Sequence, residues 1–479
     1  MVGVISKVLG VAAAPSRLFT RVAAADGNLD RRRHGPASIS VVLLTILAGL
    51  AAVYLAWPIW RATLPLQIDV NEGWNGYFAD AARIGGALYG NDFTTNNYPP
   101  LSFYVVGWLS ALTFDAVYVG RLLSLAATAM TALGVGLCVR QLGGSRFGAV
   151  TGALWLLATM PRFFDLYVGM NDPHIVGLAI MTLALAWVLR NMAKGGWTEP
   201  PIICMAVAGF YKHDLISIPV TAIVWLALHD PRRGFRAAVV GAAAVGVGFL
   251  ICWVLVGPSF FHDLLSPRQT GVMRALNGIG RLQWIAPALL IACIWAWYQR
   301  NLDRARFAAL FMAAAFASYL LKKLGDGVDD NAQFELAAAV AIGIGCAIDT
   351  FVLEWGRPEV RFDRTRSVVL LVLIARLLAS ARTAPYSVLA SPDFRAALLR
   401  DVPVAKAEIA RVAAIPGPAV CNIILICRWA GKPFVYYHWT VLQHLASGQL
   451  TAAEVDRRLR AMHVQFVTVD SRAIVPTFR

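Results

Sequence analysis

Between residues 40 and 384 the sequence is a succession of apolar stretches broken by short charged or glycine-bearing links. That pattern excludes most folds. A run of ~20 apolar residues is a candidate membrane span. Inside a bilayer only a helix or a closed barrel satisfies its own backbone groups. The stretches fall at 40–60, 101–116, 118–139, 147–163, 173–190, 201–211, 215–229, 237–256, 284–298, 307–321, 336–353 and 367–384. They predict an all-α polytopic membrane protein with about eleven transmembrane helices. The stretch 101–116 is the exception. The basic links 140–146 and 190–194 can both lie inside only if 101–116 is a re-entrant or interfacial helix. The chain is 58% hydrophobic and 15% charged, against roughly half and a quarter in soluble domains.

The net charge of +15 has the same explanation. Most cations sit in short links, with about 20 Lys and Arg on the side read as inner and about 10 on the outer, as the positive-inside rule expects. No basic face interleaved with aromatics stands outside that pattern, so nucleic acid is excluded as a partner. Residues 1–38 read as a cytoplasmic basic tail, with Arg31, Arg32 and Arg33 close before the first span; a signal peptide is the competing reading. The catalytic membrane domain is expected at 39–384, with a first outer loop at 61–99. Residues 385–479 are expected to form a small C-terminal α/β domain on the outer side. Helices are predicted at 394–411 and 451–462, the second opened by a Thr451–Glu454 capping box. Strands are predicted at 419–427, 434–437 and 464–469. On a straight strand Cys421 and Cys427 would stand ~20 Å apart, too far for a disulfide.

Acids and cations in the outer loops carry the chemistry. Asp69 and Glu72 are three apart in the first loop, and Asp172 follows an apolar span on the same expected side. Transfer of a group to a hydroxyl needs a carboxylate to take the proton of that hydroxyl. Asp69, Glu72 and Asp172 are therefore the catalytic candidates, with helix capping or pairing to nearby arginines as the plainer alternative. A phosphate leaving group needs positive charge where it departs. Lys212 and His213 at a turn between spans, Lys322 and Lys323, and Arg274 are the phosphate-binding candidates; snorkelling ends and an ion pair of Lys212 with Asp214 compete. Tyr77 and Tyr98, as sugar platforms or interfacial aromatics, together with Asp329, Asn331 and Glu335, are the substrate-binding candidates. No Cys/His metal spacing occurs, and a divalent metal on the paired acids stays open.

The set Asp69-x-x-Glu72, Tyr77, Gly85, Leu88-Tyr89, Asn97-Tyr-Pro-Pro-Leu101, Gly120-Arg121-Leu122 and Asn171-Asp172 resembles the GT-C glycosyltransferase superfamily. It is similar to the dolichyl-phosphate-mannose protein mannosyltransferase-like group, which includes bacterial lipid A aminoarabinose transferases. The resemblance implies a polyprenyl-phosphate-linked sugar donor, membrane lipids and a glycolipid or polysaccharide acceptor as partners, and inverting transfer. It implies a bacterial inner membrane with the active site facing outward. Asp69 matches the first-loop acid, Asp172 the second-loop acid, and Lys212 the lysine that holds the lipid phosphate. Asn97-Tyr98 stands where aminoarabinose enzymes carry an acid-lysine pair, which speaks against that donor sugar. A transporter or flippase of lipid-linked sugars and a polysaccharide polymerase or ligase are the rival expectations.

Overall fold

The computed structural model describes residues 38–112, 115–266, 268–351, 358–379 and 384–475. The basic tail lies outside the described residues up to Ser38. The membrane part runs α1 Ile39–Arg61, α2 Val70–Ile84, α3 Leu101–Leu112, α4 Ala116–Gln141, α5 Arg146–Phe163, α6 Pro173–Lys194, α7 Glu199–Tyr211, α8 Ser217–His229, α9 Pro231–Val256, α10 Ser259–Leu264, α11 Val272–Arg281, α12 Ala286–Tyr298, α13 Asp303–Lys323, α14 Phe334–Ala347 and α15 Pro358–Leu378. After these come α16 Ala384–Ala390, α17 Pro392–Ala413, β1 Ala419–Cys421, α18 Ile424–Trp429, α19 His438–Ala446, α20 Ala452–Ala461 and β2 Gln465–Val467.

Local chemistry sets the helix ends. Asp69, Asp115, Ser145 and Asp172 each cap a helix by accepting a bond from a backbone N–H in its first turn. Gly85 and Gly195 close α2 and α6 at φ of 73° and 70°, a backbone region that glycine enters without strain.

Every residue of α14 is buried. A helix apolar all round belongs in a core, and α14 is that core here. Gly148 and Gly152 of α5 let the two backbones meet: a Cβ at either would strike an α14 carbonyl, of Gly345 or Ala341. At the other extreme, only 6% of the apolar window of α9 is buried, which leaves its side chains for lipid.

Among the described residues five helices are long and apolar enough to cross a membrane alone: α1, α4, α6, α9 and α13. The count reaches 6 if the residues of α11 and α12, bent by 89°, form one broken span. Several other expected crossings are shorter. α7, α8 and α12 have 13 residues each, about 20 Å of helix against ~30 Å of hydrocarbon. Helix α3, from the stretch read as non-crossing, has 12 residues and is shorter still.

The C-terminal segment is mostly helical. Its two strands pair in parallel, with Ala419 opposite Gln465 and Cys421 opposite Val467. The helices at 394–411 and 451–462 form as α17 and α20, and Thr451 accepts from the Glu454 N–H at 3.2 Å. Two strand expectations are corrected. The strand begun at Ala419 stops at Cys421, and residues 424–429 are the helix α18; residues 434–437 are coil. The turn between β1 and α18 folds the chain back, so Cys421 and Cys427 lie 5.7 Å apart at Cα and form a disulfide. The expected ~20 Å separation assumed a straight strand that the chain does not build. The segment is also stitched to the first loop. Val475 N–H donates to the Gln67 carbonyl at 2.8 Å, and Leu425 N–H to Gln67 Oε1 at 2.9 Å.

Candidate active site

The site forms where α2 and α6 begin. Asp69 caps α2 through Asn71 N–H at 3.0 Å and keeps its carboxylate half-exposed. Asp172 caps α6 through His174 N–H at 2.8 Å and is buried. Burial pushes the Asp172 carboxyl up to about 6. Lys212 and the bond from His174 oppose that shift, and Asp214 and Asp69 add to it. The two capping acids therefore share one electrostatic environment.

Glu72 behaves differently from its neighbour. It is 0% exposed and accepts four bonds: from Ile68 N–H at 2.8 Å, Asn171 N–H at 3.2 Å, and Arg121 Nε and Nη2 at 2.8 and 2.7 Å. Arg121, equally buried, also donates to the Leu64 and Leu66 carbonyls at 2.7 and 2.6 Å. This pair ties the first loop, α4 and the Asn171-Asp172 turn together. No face of Glu72 is open to a substrate, which corrects its candidacy as a reacting acid.

Lys212 ends α7 and is buried, with Nζ 3.4 Å from the centroid of the Tyr98 ring. Burial lowers the pKa of its ammonium, but Tyr98, Asp214 and Asp172 outweigh that and raise it overall. Among the described residues it makes no ion pair. The competing partner, Asp214, lies instead 4.0 Å from Lys322. Tyr98 packs edge-on to Trp74 and accepts at its carbonyl from Tyr89 Oη at 2.8 Å. His213 is exposed, with its ring 6.4 Å from that of Tyr98.

Several expected contacts are committed elsewhere. Glu335 is buried: it pairs with Lys322 at 2.7 Å and accepts from Ser217 N–H at 2.8 Å, Ser217 Oγ at 2.7 Å and Ile218 N–H at 3.2 Å. It caps α8 and neutralises Lys322, which takes Glu335 out of substrate binding and leaves Lys322 with a partner. Lys323 donates to the Val328 carbonyl at 2.8 Å. Arg274 pairs with Asp326. Tyr77 donates to the Lys432 carbonyl at 2.9 Å and stacks on Phe434 at 4.7 Å, so it faces the C-terminal segment rather than an open cleft. Asp329 and Asn331 are half-buried near the end of α13.

Three groups were not singled out from the sequence as site residues. Tyr167 is 3% exposed, donates to Asp329 Oδ2 at 3.4 Å, and has its phenol raised by burial and then by Asp329, Asp172 and Asp69. Tyr437 also feels Asp69. Arg268 meets the Asn97 side-chain oxygen, once that amide is turned to face it, and lies 5.3 Å over the Trp439 ring. A lone tyrosine or arginine in a loop carries no spacing signal, so only the folded chain selects them. Among the described residues no group of three His, Cys, Asp or Glu side chains is arranged to hold a metal ion.

No family model and no curated protein matches the sequence. Among solved structures, ArnT from Cupriavidus metallidurans bound to undecaprenyl phosphate aligns with TM-score 0.48 and 16% identity, covering 86% of this chain and 79% of that one. The apo-state crystal structure of ArnT from Cupriavidus metallidurans aligns with TM-score 0.55 and 15% identity, over 88% of this chain and 90% of that one. The chain thus shares the fold of ArnT from Cupriavidus metallidurans.

Proposed function

We propose that the chain is a membrane glycosyltransferase that moves a sugar from a polyprenyl-phosphate donor to a hydroxyl of an envelope glycolipid or polysaccharide. One observation carries the reading. A half-exposed carboxylate, Asp69, stands beside a buried one, Asp172, in the field of a buried ammonium, Lys212, that makes no ion pair among the described residues. A buried cation held in no ion pair is costly unless an anion visits it. A lipid phosphate is such an anion.

In this reaction the acceptor oxygen attacks the anomeric carbon from the face opposite the phosphate. Its proton passes to Asp69 as the carbon–oxygen bond to phosphate breaks. Charge grows on the departing polyprenyl phosphate, and Lys212, with Arg268 as a second contact, stabilises it there. Asp172 adds its field at Lys212, while Glu72 and Arg121 hold the loop that presents Asp69. The shared fold supports the enzyme reading. The disulfide supports the outward orientation. Such bonds persist in oxidising compartments, and Leu425, between the two cysteines, bonds to Gln67 in the first loop. These contacts support the reading in which Asp69 faces the oxidising side.

The test uses the full chain in nanodiscs, a panel of undecaprenyl-phosphate monosaccharides and an envelope glycolipid extract. Release of undecaprenyl phosphate is read by mass spectrometry. Turnover is expected with at least one donor, and Asp69→Asn should slow it by ~10²–10⁴-fold. Movement of an intact lipid-linked sugar across a proteoliposome bilayer, with no glycosidic bond cut, would make the chain a transporter.

A further inference from the structure

At the capping acid Asp172 lies a small cavity lined by Asn75 of α2, Ser102 of α3, Gly120 of α4, Asn171 and Asp172 before α6, and Tyr211 of α7. Four side chains on its wall are each at least nine-tenths buried: Asn75 at 3%, Ser102 at 3%, Asn171 at 4% and Asp172 at 5% exposure. Each has one polar atom with no hydrogen-bond partner on the described chain: Asn75 Oδ1, Ser102 Oγ, Asn171 Nδ2 and Asp172 Oδ2. Native proteins leave few such atoms unpaired, and four on one cavity call for a common explanation.

The donor and acceptor count identifies it. Asp172 Oδ2 and Asn75 Oδ1 accept; Asn171 Nδ2 donates; the Ser102 hydroxyl can donate. The Asn75 amide is fixed in that orientation because its Nδ2 already donates to the Asn171 carbonyl at 2.8 Å. Two acceptors and two donors are the complement of one water molecule. Volume agrees. The cavity volume is about 10 Å³, near the ~10–15 Å³ that one water needs. A sugar hydroxyl with its ring does not fit. A cation is disfavoured too, since two of the four groups present hydrogens and the Lys212 ammonium acts on Asp172 from nearby.

We propose that this cavity is a built site for a single structural water that bridges Asp172 to Asn75. Asn75 follows Glu72 by one turn on the helix that Asp69 caps. The bridge therefore sets the second acid against the helix of the first, and makes Asn75 and Ser102 positioning residues. The inference extends the reading of Asp172 given above, but its test does not depend on transfer activity.

Two measurements decide it. A high-resolution cryo-EM or crystal structure of the full chain should show one density peak within hydrogen-bond distance of all four atoms. Side chains turned to pair with one another, with no peak, would overturn the site. The second measurement is thermal melting in nanodiscs of Ser102→Val and Ser102→Ala. If the cavity is dry, the extra methyl groups of Ser102→Val fill it and the melting midpoint rises. If it holds the bridging water, Ser102→Val expels it, strands Asp172 Oδ2 and Asn75 Oδ1, and lowers the midpoint by several degrees, with Ser102→Ala lowering it less. A midpoint that rises in sodium but not in choline salts would assign the site to a cation and refute the water.

Discussion

Glu72→Gln is the sharpest perturbation, because it separates a reacting acid from a holding one. The amide keeps the shape of the side chain but only one of its two ends can accept. Glu72 now receives four donors, two of them from a fully buried guanidinium. In the variant, two donors face an NH₂ group, and the Arg121 charge is buried without a counterion. Breaking a buried pair from one side costs about 3–5 kcal/mol. Arg121→Met should cost at least as much, since it also strands the Leu64 and Leu66 carbonyls, at ~1–3 kcal/mol each. The double variant removes both charges and keeps only the stranded backbone and the capping defects. Its cost should therefore fall short of the sum of the singles by about 2–3 kcal/mol, the upper end for residues in contact. The assay is unfolding of the three variants in one detergent, followed by tryptophan fluorescence and by retention on size exclusion. Turnover should fall only as the folded fraction falls. If Glu72→Gln unfolds with the wild type yet loses turnover, Glu72 reacts directly. If the cycle is additive, the pair is not what holds the loop. Either outcome sinks the assignment made here.

Four further outcomes are expected. Lys212→Ala should raise the donor KM, and lower kcat as well if its contact tightens when the bond breaks; because Asp214 lies nearer Lys322 than any described pairing with Lys212, Asp214→Ala should not reproduce that profile. Asp172 titrates near 6 instead of the ordinary 3.8, so the folded chain holds this proton more tightly than the unfolded one. Its contribution to stability is then full below about pH 4 and is lost, by up to about 3 kcal/mol, as pH climbs through about 6; the melting difference between the wild type and Asp172→Asn should therefore change across that window. Peptide mapping without reductant should recover Cys421 linked to Cys427. In intact cells, an impermeant thiol reagent should label an introduced Gln449→Cys but not Asn301→Cys, and the reverse pattern would invert the orientation proposed for Asp69.

Periodicity and charge carried the sequence a long way. Apolar runs place most helices within a few residues, because a helix end needs a cap and the caps are written locally: Asp69, Asp115, Ser145, Asp172 and Thr451 all open helices where a capping residue precedes an apolar or amphipathic run. The same locality made Asp69 and Asp172 stand out. Partnership is not local. Glu72 stands three residues from Asp69 in the same loop, and only the arrival of Arg121, 49 residues on, takes its carboxylate out of solvent. Glu335 is claimed by Lys322 and the start of α8, Tyr77 by a C-terminal carbonyl, and Arg274 by Asp326. Cys421 and Cys427 were judged by the length of a strand, whereas the chain turns between them. The sequence by itself determined that the chain is a bundle of apolar helices and which acids begin them, since burial in lipid and capping act over a few residues. Only the tertiary structure decided which of those charges are spent on one another, because a buried ion pair depends on groups brought together from distant turns.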